Sequence, residues 1–264
     1  MRPCPSPKAE TAASPEEAPT MLMSIIEGAR GLPAYPELAG KRVLITGLTS
    51  SCGVDIVRAF AEHKARLILQ LEEMSEKGEA IAEIAAPHAL DIKAFGPVAA
   101  EADAVARFTR SVMLAYGGLD VVVNLVPLAV PRLDPSATTA DVERIVAERL
   151  LLPCLLSKIA ANRMALVLTE GLIINAATLV PPFEGPAHAF ASVLKAAMTA
   201  MTRIQAEEWA GKAIRFNAIA PQTVQVPPKP SLAGEPEVAA LALYLASGRG
   251  KALSGHVFEA EPAR

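Results

Sequence analysis

The sequence predicts an α/β fold in which a doubly wound parallel sheet of about seven strands is flanked by helices. Strand-like and helix-like segments alternate from residue 43 onward, and alternating units of this length are typical of such sheets. The strand-like segments are continuous runs of Val, Ile and Leu, which indicates strands buried on both faces. Proteins of this class bind ligands at the carboxyl ends of the strands.

The first half of the chain provides four strands and three helices. Short apolar runs are typical of buried strands, whereas longer mixed runs are typical of helices. Strands are predicted at 43–47, 65–71, 88–92 and 119–125, and helices at 55–64, 72–85 and 101–117.

The second half continues the alternation. A long helix is predicted over 140–164, a strand over 172–177, and a helix over 187–209. A strand at 213–221, a helix at 235–247 and a terminal strand at 255–260 complete the pattern.

Residues 1–20 differ in composition from the rest of the chain. They are rich in Pro, Ala, Ser and Glu and poor in large apolar residues, so they cannot bury enough surface to become ordered. We expect a flexible tail at 1–20 and a single domain over 21–264.

Composition excludes several classes of function. Of the 264 residues, 52% are apolar, which is enough for a large core. The net charge is −3 and no basic stripe is present, which argues against a nucleic-acid partner. No apolar stretch is long enough for a membrane span, and the pattern of a signal peptide is missing.

The cysteines point to a reducing compartment. Cys4, Cys52 and Cys154 are odd in number and have no spacing typical of a metal site. We therefore expect reduced thiols, a cytoplasmic protein and no bound metal.

The turn after the first strand is a candidate phosphate site. It reads TGLTSSCGVDI, from Thr46 to Ile56. A glycine-bearing turn between a strand and a helix presents backbone N–H groups to an anion. Many sheets use glycine there only to turn the chain, so both interpretations stay open from the turn alone.

Four later segments occur in a familiar order. They are GGLDVVVN (117–124), GLIINAAT (171–178), KAIRFNAIAP (212–221) and EPEVAALALYLAS (235–247). Together they resemble the short-chain dehydrogenase/reductase family from about Leu38 to Phe258. The resemblance implies a Rossmann-type sheet that binds NAD(H) or NADP(H). It also implies proton transfer by a tyrosine and a lysine four residues later, aided by a serine and an asparagine.

The phosphate turn departs from the family pattern TGxxxGxG. Gly47 and Gly53 match its first and last glycines, but the middle position holds Ser51. A side chain there hinders the approach of the pyrophosphate. The resemblance therefore implies weakened binding at this turn.

The ribose position departs as well. The family has an acidic residue at the end of the second strand for NAD, or a basic one after it for NADP. Here Leu71 lies between Gln70 and Glu72. A leucine accepts no hydrogen bond, and no cation follows, so NADP(H) is less expected than NAD(H).

Two further cofactor positions match the family, while their surroundings do not. Asp91 matches an aspartate near the adenine, or alternatively caps a turn. Asn124 matches an asparagine that ties neighbouring strands together. The small residues that follow it in the family are replaced by Leu125 and Val126, which would press into the cofactor channel. NAD(H) binding is therefore expected to be weakened or lost.

The catalytic positions retain a lysine and lose the tyrosine. Lys195 matches the family lysine, but the residue four positions earlier is Ala191, which has no proton to give. Thr178 stands at the serine position and keeps a hydroxyl, and the asparagine position falls near Arg149. Lys195 is either a remnant that still binds ribose or an ordinary solvated lysine.

A substitute constellation is one alternative. His188 lies three residues before Ala191 and titrates near neutral pH. His188, Thr178 and Lys195 would then act around NAD(H). Against this, the family's substrate lid is reduced to QTVQVPPKPSLAGEP, a short segment stiffened by four prolines.

The helices at 140–164 and 190–209 form subunit contacts in the family. Their apolar faces here are broad and indicate a homodimer or homotetramer; they comprise Leu150, Leu151, Cys154, Leu155, Ala197, Met198, Met201 and Ile204. Three functions remain as hypotheses. One is a non-enzymatic family member that binds a protein partner or a small effector. The others are an active NAD(H)-dependent oxidoreductase and a dinucleotide sensor without turnover.

Overall fold

Strands and helices alternate through the described part of the chain, as the sequence predicts. The computed structural model describes residues 35–50, 52–127, 138–178, 186–220 and 235–258, with only the backbone at 77, 142 and 186–191. Within these residues seven parallel strands form one sheet in the order β3-β2-β1-β4-β5-β6-β7. The predicted doubly wound sheet is confirmed.

The strands and helices have the following bounds. The strands are β1 Arg42–Leu48, β2 Arg66–Leu71, β3 Asp91–Phe95, β4 Val121–Pro127, β5 Gly171–Thr178, β6 Ile214–Ile219 and β7 Val257–Phe258. The helices are α1 Val54–Glu62, α2 Glu76–Ala85, α3 Ala102–Tyr116, α4 Thr139–Val146, α5 Leu152–Leu166, α6 Pro186–Trp209 and α7 Glu235–Ala246.

Helices cover both faces of the sheet. On one face, buried residues of α1, α2 and α7 share an apolar cluster with the strands; on the other face, α3, α5 and α6 do the same. The strand order reverses between β1 and β4. A crevice at the carboxyl ends of these strands is therefore where this topology places a ligand.

The third strand lies three residues later than predicted. Residues 88–92 were expected to form it, but the strand is Asp91–Phe95. The N–H groups of His88 and Ala89 still donate to the carbonyl of Ala85, at 3.0 Å each. These bonds continue the end of α2, so the sheet is joined only afterwards.

The long helix predicted over 140–164 is interrupted. A π-helical turn at Ala147–Leu151 separates α4 from α5. Pro153 lies in the first turn of α5 and has no N–H to donate to the carbonyl of Arg149. The missing bond explains the wider turn, which contains Arg149.

Candidate functional site

The turn after β1 begins at Gly47, whose backbone N–H already has a partner. It donates to Oε1 of Gln70 at 2.8 Å, and Nε2 of Gln70 donates to the carbonyl of Leu71 at 2.8 Å. Gln70 is buried among the leucines and the isoleucine of β2, and these bonds satisfy both ends of its amide. The N–H of Gly47 is therefore not available to a phosphate.

The next part of the turn is closed on itself. The N–H of Thr49 donates to the carbonyl of Cys52, and the N–H of Cys52 donates back to the carbonyl of Thr49, both at 3.2 Å. Ser51, the predicted obstacle to the pyrophosphate, lies outside the described residues. Two more N–H groups of the predicted phosphate turn are therefore bonded internally.

The amino end of α1 holds a carboxylate from a distant part of the chain. Gly53 precedes the helix with φ +96°, and the N–H of Asp55 donates to Oε1 of Glu235 at 2.7 Å. Burial raises the pKa of Glu235, and hydrogen bonds from the backbone of Gly53, Asp55 and Ile56 oppose that rise only in part. The positive end of a helix is where a carboxylate is most stabilised.

Apolar side chains fill the space beside this turn. A Cβ atom added at Gly53 would clash with the side chains of Leu48 and Leu125. Leu71, at the predicted ribose position, and Val126 are fully buried. The cavity left between the ends of β1, β2 and β4 and the π-helical turn measures about 10 Å³. That volume holds one water molecule at most.

Charged side chains border the same small cavity. Glu72 and Arg149 both line it. Burial raises the pKa of Glu72, and the positive charge of Arg149 opposes this rise. Nε of Arg149 is buried and has no hydrogen-bond partner among the described residues. The residue at the family's asparagine position thus borders the predicted cofactor channel.

Thr178, at the predicted serine position, touches the phosphate turn directly. Its Oγ1 lies 3.2 Å from Sγ of Cys52, and the two groups share a hydrogen bond. Burial raises the pKa of the Cys52 thiol to about 11, a rise that the bond to Thr178 partly opposes. The thiol is therefore neutral at physiological pH, and it links the turn after β1 to the last residue of β5.

Asn124 is fully used in holding strands together. Its Oδ1 accepts from the Thr46 hydroxyl at 2.9 Å, and its Nδ2 lies 3.0 Å from both Oγ of Ser157 and Oδ1 of Asn175. The side chain joins β1, β4, β5 and α5 in the buried core. A role in binding a cofactor remains a prediction.

Asp91 lies at the amino edge of the sheet, opposite the carboxyl ends of the strands. It is the first residue of β3 and pairs with Arg66, the first residue of β2. A five-residue strand rises ~13 Å from its first residue to its last, so the carboxyl edge, where Gln70 pairs with Phe95, is distant. Asp91 lies there because the third strand starts later than expected, and its contact with an adenine remains a prediction.

The residues predicted on α6 are described to different extents. Leu194 packs in one buried cluster with Val126 and Ala177, so Lys195 follows a residue anchored at the carboxyl edge of β4 and β5. Lys195 is half-buried. His188 and Ala191 lie in α6, but only their backbone is described. The substrate segment at 222–234 lies outside the described residues.

A larger cavity lies at the opposite edge of the sheet. It measures about 730 Å³ and borders the amino ends of β5 and β6 and the carboxyl half of α6, and none of the predicted site residues line it. Within the described ranges no cluster of three His, Cys, Asp or Glu residues is suited to a metal ion. No described helix combines the length and apolar character needed to cross a membrane.

Comparison with known proteins decides the family. The family model described as enoyl-(acyl carrier protein) reductase matches residues 47–236. The chain belongs to the short-chain dehydrogenase/reductase family. Curated relatives of this dehydrogenase family include momilactone A synthase of Oryza sativa subsp. japonica, 31% identical over 83% of this chain and 88% of that protein. Galactitol 2-dehydrogenase (L-tagatose-forming) of Cereibacter sphaeroides is 30% identical over 83% of this chain and 93% of that protein.

Solved structures of short-chain dehydrogenases share the fold. One from Mycobacterium marinum has a TM-score of 0.72 and 23% identity and covers 84% of this chain and 94% of its own. One from Burkholderia cenocepacia, solved in complex with NADP, has a TM-score of 0.68 and 22% identity and covers 85% of this chain and 97% of its own. The Rossmann-type fold implied by the sequence resemblance is therefore confirmed.

The contacts at the site that sequence reasoning did not find include those of Gln70 and Glu235. Gln70 could have been noticed, because a lone amide in the strand RLILQL needs a buried partner. The sequence gives no sign that Glu235 contacts α1, since 180 residues separate it from Asp55. Its place next to α1 follows only from the packing of α7.

Proposed function

We propose that this chain is a catalytically inactive member of the short-chain dehydrogenase/reductase family that acts in binding or regulation. The observation that carries the proposal is the contact of 3.2 Å between Cys52 and Thr178. By resemblance, the turn containing Cys52 binds pyrophosphate and the hydroxyl at position 178 orients the substrate carbonyl. The nicotinamide would have to lie between them, and in this chain the two side chains touch.

Two further features support the proposal. The cavity beside Glu72 and Arg149 measures about 10 Å³, whereas a ligand pocket needs several hundred Å³. The position of the tyrosine is Ala191, which supplies no proton. Binding of NAD(H) and proton transfer are thus both impaired. NADP(H) is less expected than NAD(H), and no metal ion has a predicted role.

The test is a titration with NADH followed by nicotinamide fluorescence and by thermal shift. We expect neither signal at millimolar NADH, because the channel is filled. A dinucleotide present at a hundredfold excess over its dissociation constant would stabilise the protein by ~2.7 kcal/mol. The Burkholderia cenocepacia relative solved with NADP, titrated with NADPH, serves as the positive control. Saturable binding of NADH to the wild-type chain would contradict the proposal.

An active NAD(H)-dependent oxidoreductase is the second candidate. It is favoured by the position of Lys195, which follows a residue packed against the strand that ends at Thr178. His188 would then donate the proton. A panel of alcohols and carbonyl compounds tests this reading, and H188A and K195A should each abolish any turnover. NADH binding without turnover would favour the third candidate, a dinucleotide sensor.

The oligomer belongs to the same proposal. Leu151, in the π-helical turn, and Val193, on α6, are 45% and 60% exposed, and these two elements contact each other. We place the contacts of a homodimer or homotetramer on the helices at 140–164 and 190–209, with a protein partner or small effector bound elsewhere. Free thiols at Cys52 and Cys154 support a cytoplasmic location.

A further inference from the structure

We infer that the Glu235 carboxylate is an internal substitute for a phosphate group at the amino end of α1 and excludes external anions from it. The inference rests on the proposed function, because it concerns how the cofactor cleft is kept closed. It assigns a role to a residue that lies far from the predicted site in the sequence.

The hydrogen bond places the carboxylate where a phosphate binds to a helix. Oε1 of Glu235 accepts from the N–H of Asp55 at 2.7 Å, in the first turn of α1. The first N–H groups of a helix have no partner inside it, and together with the helix dipole they attract anions. A carboxylate from the protein satisfies the same donors that a phosphate oxygen would.

Packing holds Glu235 at this point. It is the first residue of α7, and α7 packs against α1 through the buried side chains of Val238, Ala242, Val57 and Ala61. The carboxylate therefore belongs to a helix whose position is set by the core. An external anion would have to displace it without moving that helix.

The acceptors at the neighbouring N–H groups of the described turn are uncharged, whereas the acceptor at the helix end is a carboxylate. The N–H of Gly47 is bound by a neutral amide from Gln70, and Thr49 and Cys52 bond to each other. At the helix end, by contrast, the group is a carboxylate. Asp55 adds a like charge nearby, although Arg58 pairs with it at 3.1 Å. The described turn thus presents a positive helix end that is already neutralised from within.

The experiment removes the carboxylate and supplies an anion from solution. E235A and E235S are titrated with inorganic phosphate at constant ionic strength and followed by calorimetry and thermal shift. Serine is included because it is a favourable residue at the start of a helix, so at least one variant should start α7 normally. We expect both variants to bind phosphate at least about tenfold more tightly than the wild-type chain, a change of ~1.4 kcal/mol.

Two controls separate this effect from others. E237A removes the same charge in the same first turn of α7 and should respond to phosphate like the wild-type chain. E235Q keeps an acceptor oxygen and should also gain no binding. Equal phosphate binding by E235S and E237A, or tight phosphate binding by the wild-type chain, would overturn the inference. The proposed function is tested separately by NADH and the wild-type chain, so either idea can fail alone.

Discussion

Gly47 shows at the scale of one residue how tightly the first turn is packed. Its φ is +75°, and a Cβ atom there would lie 2.5 Å from the backbone oxygen of Leu125. The position therefore combines a backbone conformation that favours glycine with a close approach of β4. In a dinucleotide-binding turn the same features let the backbone approach a phosphate. Here the backbone of β4 comes close to Gly47.

Gly47→Ala should lower the free energy of unfolding by more than the ~1–3 kcal/mol expected for a strained backbone alone. The excess comes from the clash with Leu125. The matched control is Gly40→Ala, because Gly40 has φ +77° and nothing within 4 Å of its added Cβ. Urea denaturation of both variants measures the difference. Equal losses in the two would show that the contact with Leu125 is not tight.

At the scale of elements, β1 and β4 are joined at both ends by polar side chains. At the carboxyl half, Asn124 links β4 to Thr46 of β1. At the amino end, Arg42 donates to both carboxylate oxygens of Asp120, at 2.9 and 2.7 Å. Burial works against ionisation of Asp120, but the bonds from Arg42 prevail and hold its pKa below the usual value.

The pair of Arg42 and Asp120 should make stability depend on acid pH. Because the pKa of Asp120 is lower in the folded protein, its stabilisation is complete above the unfolded value of ~3.9 and is lost as pH falls through the folded value. Asp120→Asn should therefore have a lower free energy of unfolding than the wild-type chain at neutral pH, and this difference should become smaller at acid pH. Urea denaturation across this range measures it. A difference in free energy of unfolding that does not change with pH would contradict a stabilising role of the Asp120 charge.

At the scale of the whole molecule, the apolar surface of α6 and of the π-helical turn before α5 is divided between core and solvent. Met198 packs against the sheet, whereas Ile204 and Leu151 remain exposed. The predicted broad apolar face is thus only partly buried within one chain. Exposed apolar area of this kind is typical of subunit contacts.

Replacing Leu151 and Val193 together by Glu should convert the proposed oligomer to monomers. Burying two carboxylates in an apolar contact costs more than such a contact supplies. Sedimentation velocity measures the mass in solution. The control is Leu168→Glu, since Leu168 follows α5 and is 93% exposed; it should leave the mass unchanged. A wild-type chain that is itself monomeric would contradict the proposed homo-oligomer.

Local patterns determined most of the fold. Short runs rich in Val, Ile and Leu that alternate with longer helical patterns favour buried parallel strands, and six strands lie close to their predicted positions. β3 was misplaced because an edge strand alternates polar and apolar residues, as DIKAF does. The interruption of the long helix was missed, although Pro153 carried the signal for it.

The sequence by itself determined the family fold, and it places an alanine at position 191, where the resemblance implies a tyrosine. The lack of an acidic group there is a property of the side chain alone. Only the tertiary structure decided which side chains meet beside the predicted cofactor cleft. The contacts of Glu235 with α1, Gln70 with Gly47 and Cys52 with Thr178 join parts of the chain that are 180, 23 and 126 residues apart. Such contacts depend on how helices and strands pack, and no local pattern encodes their distances.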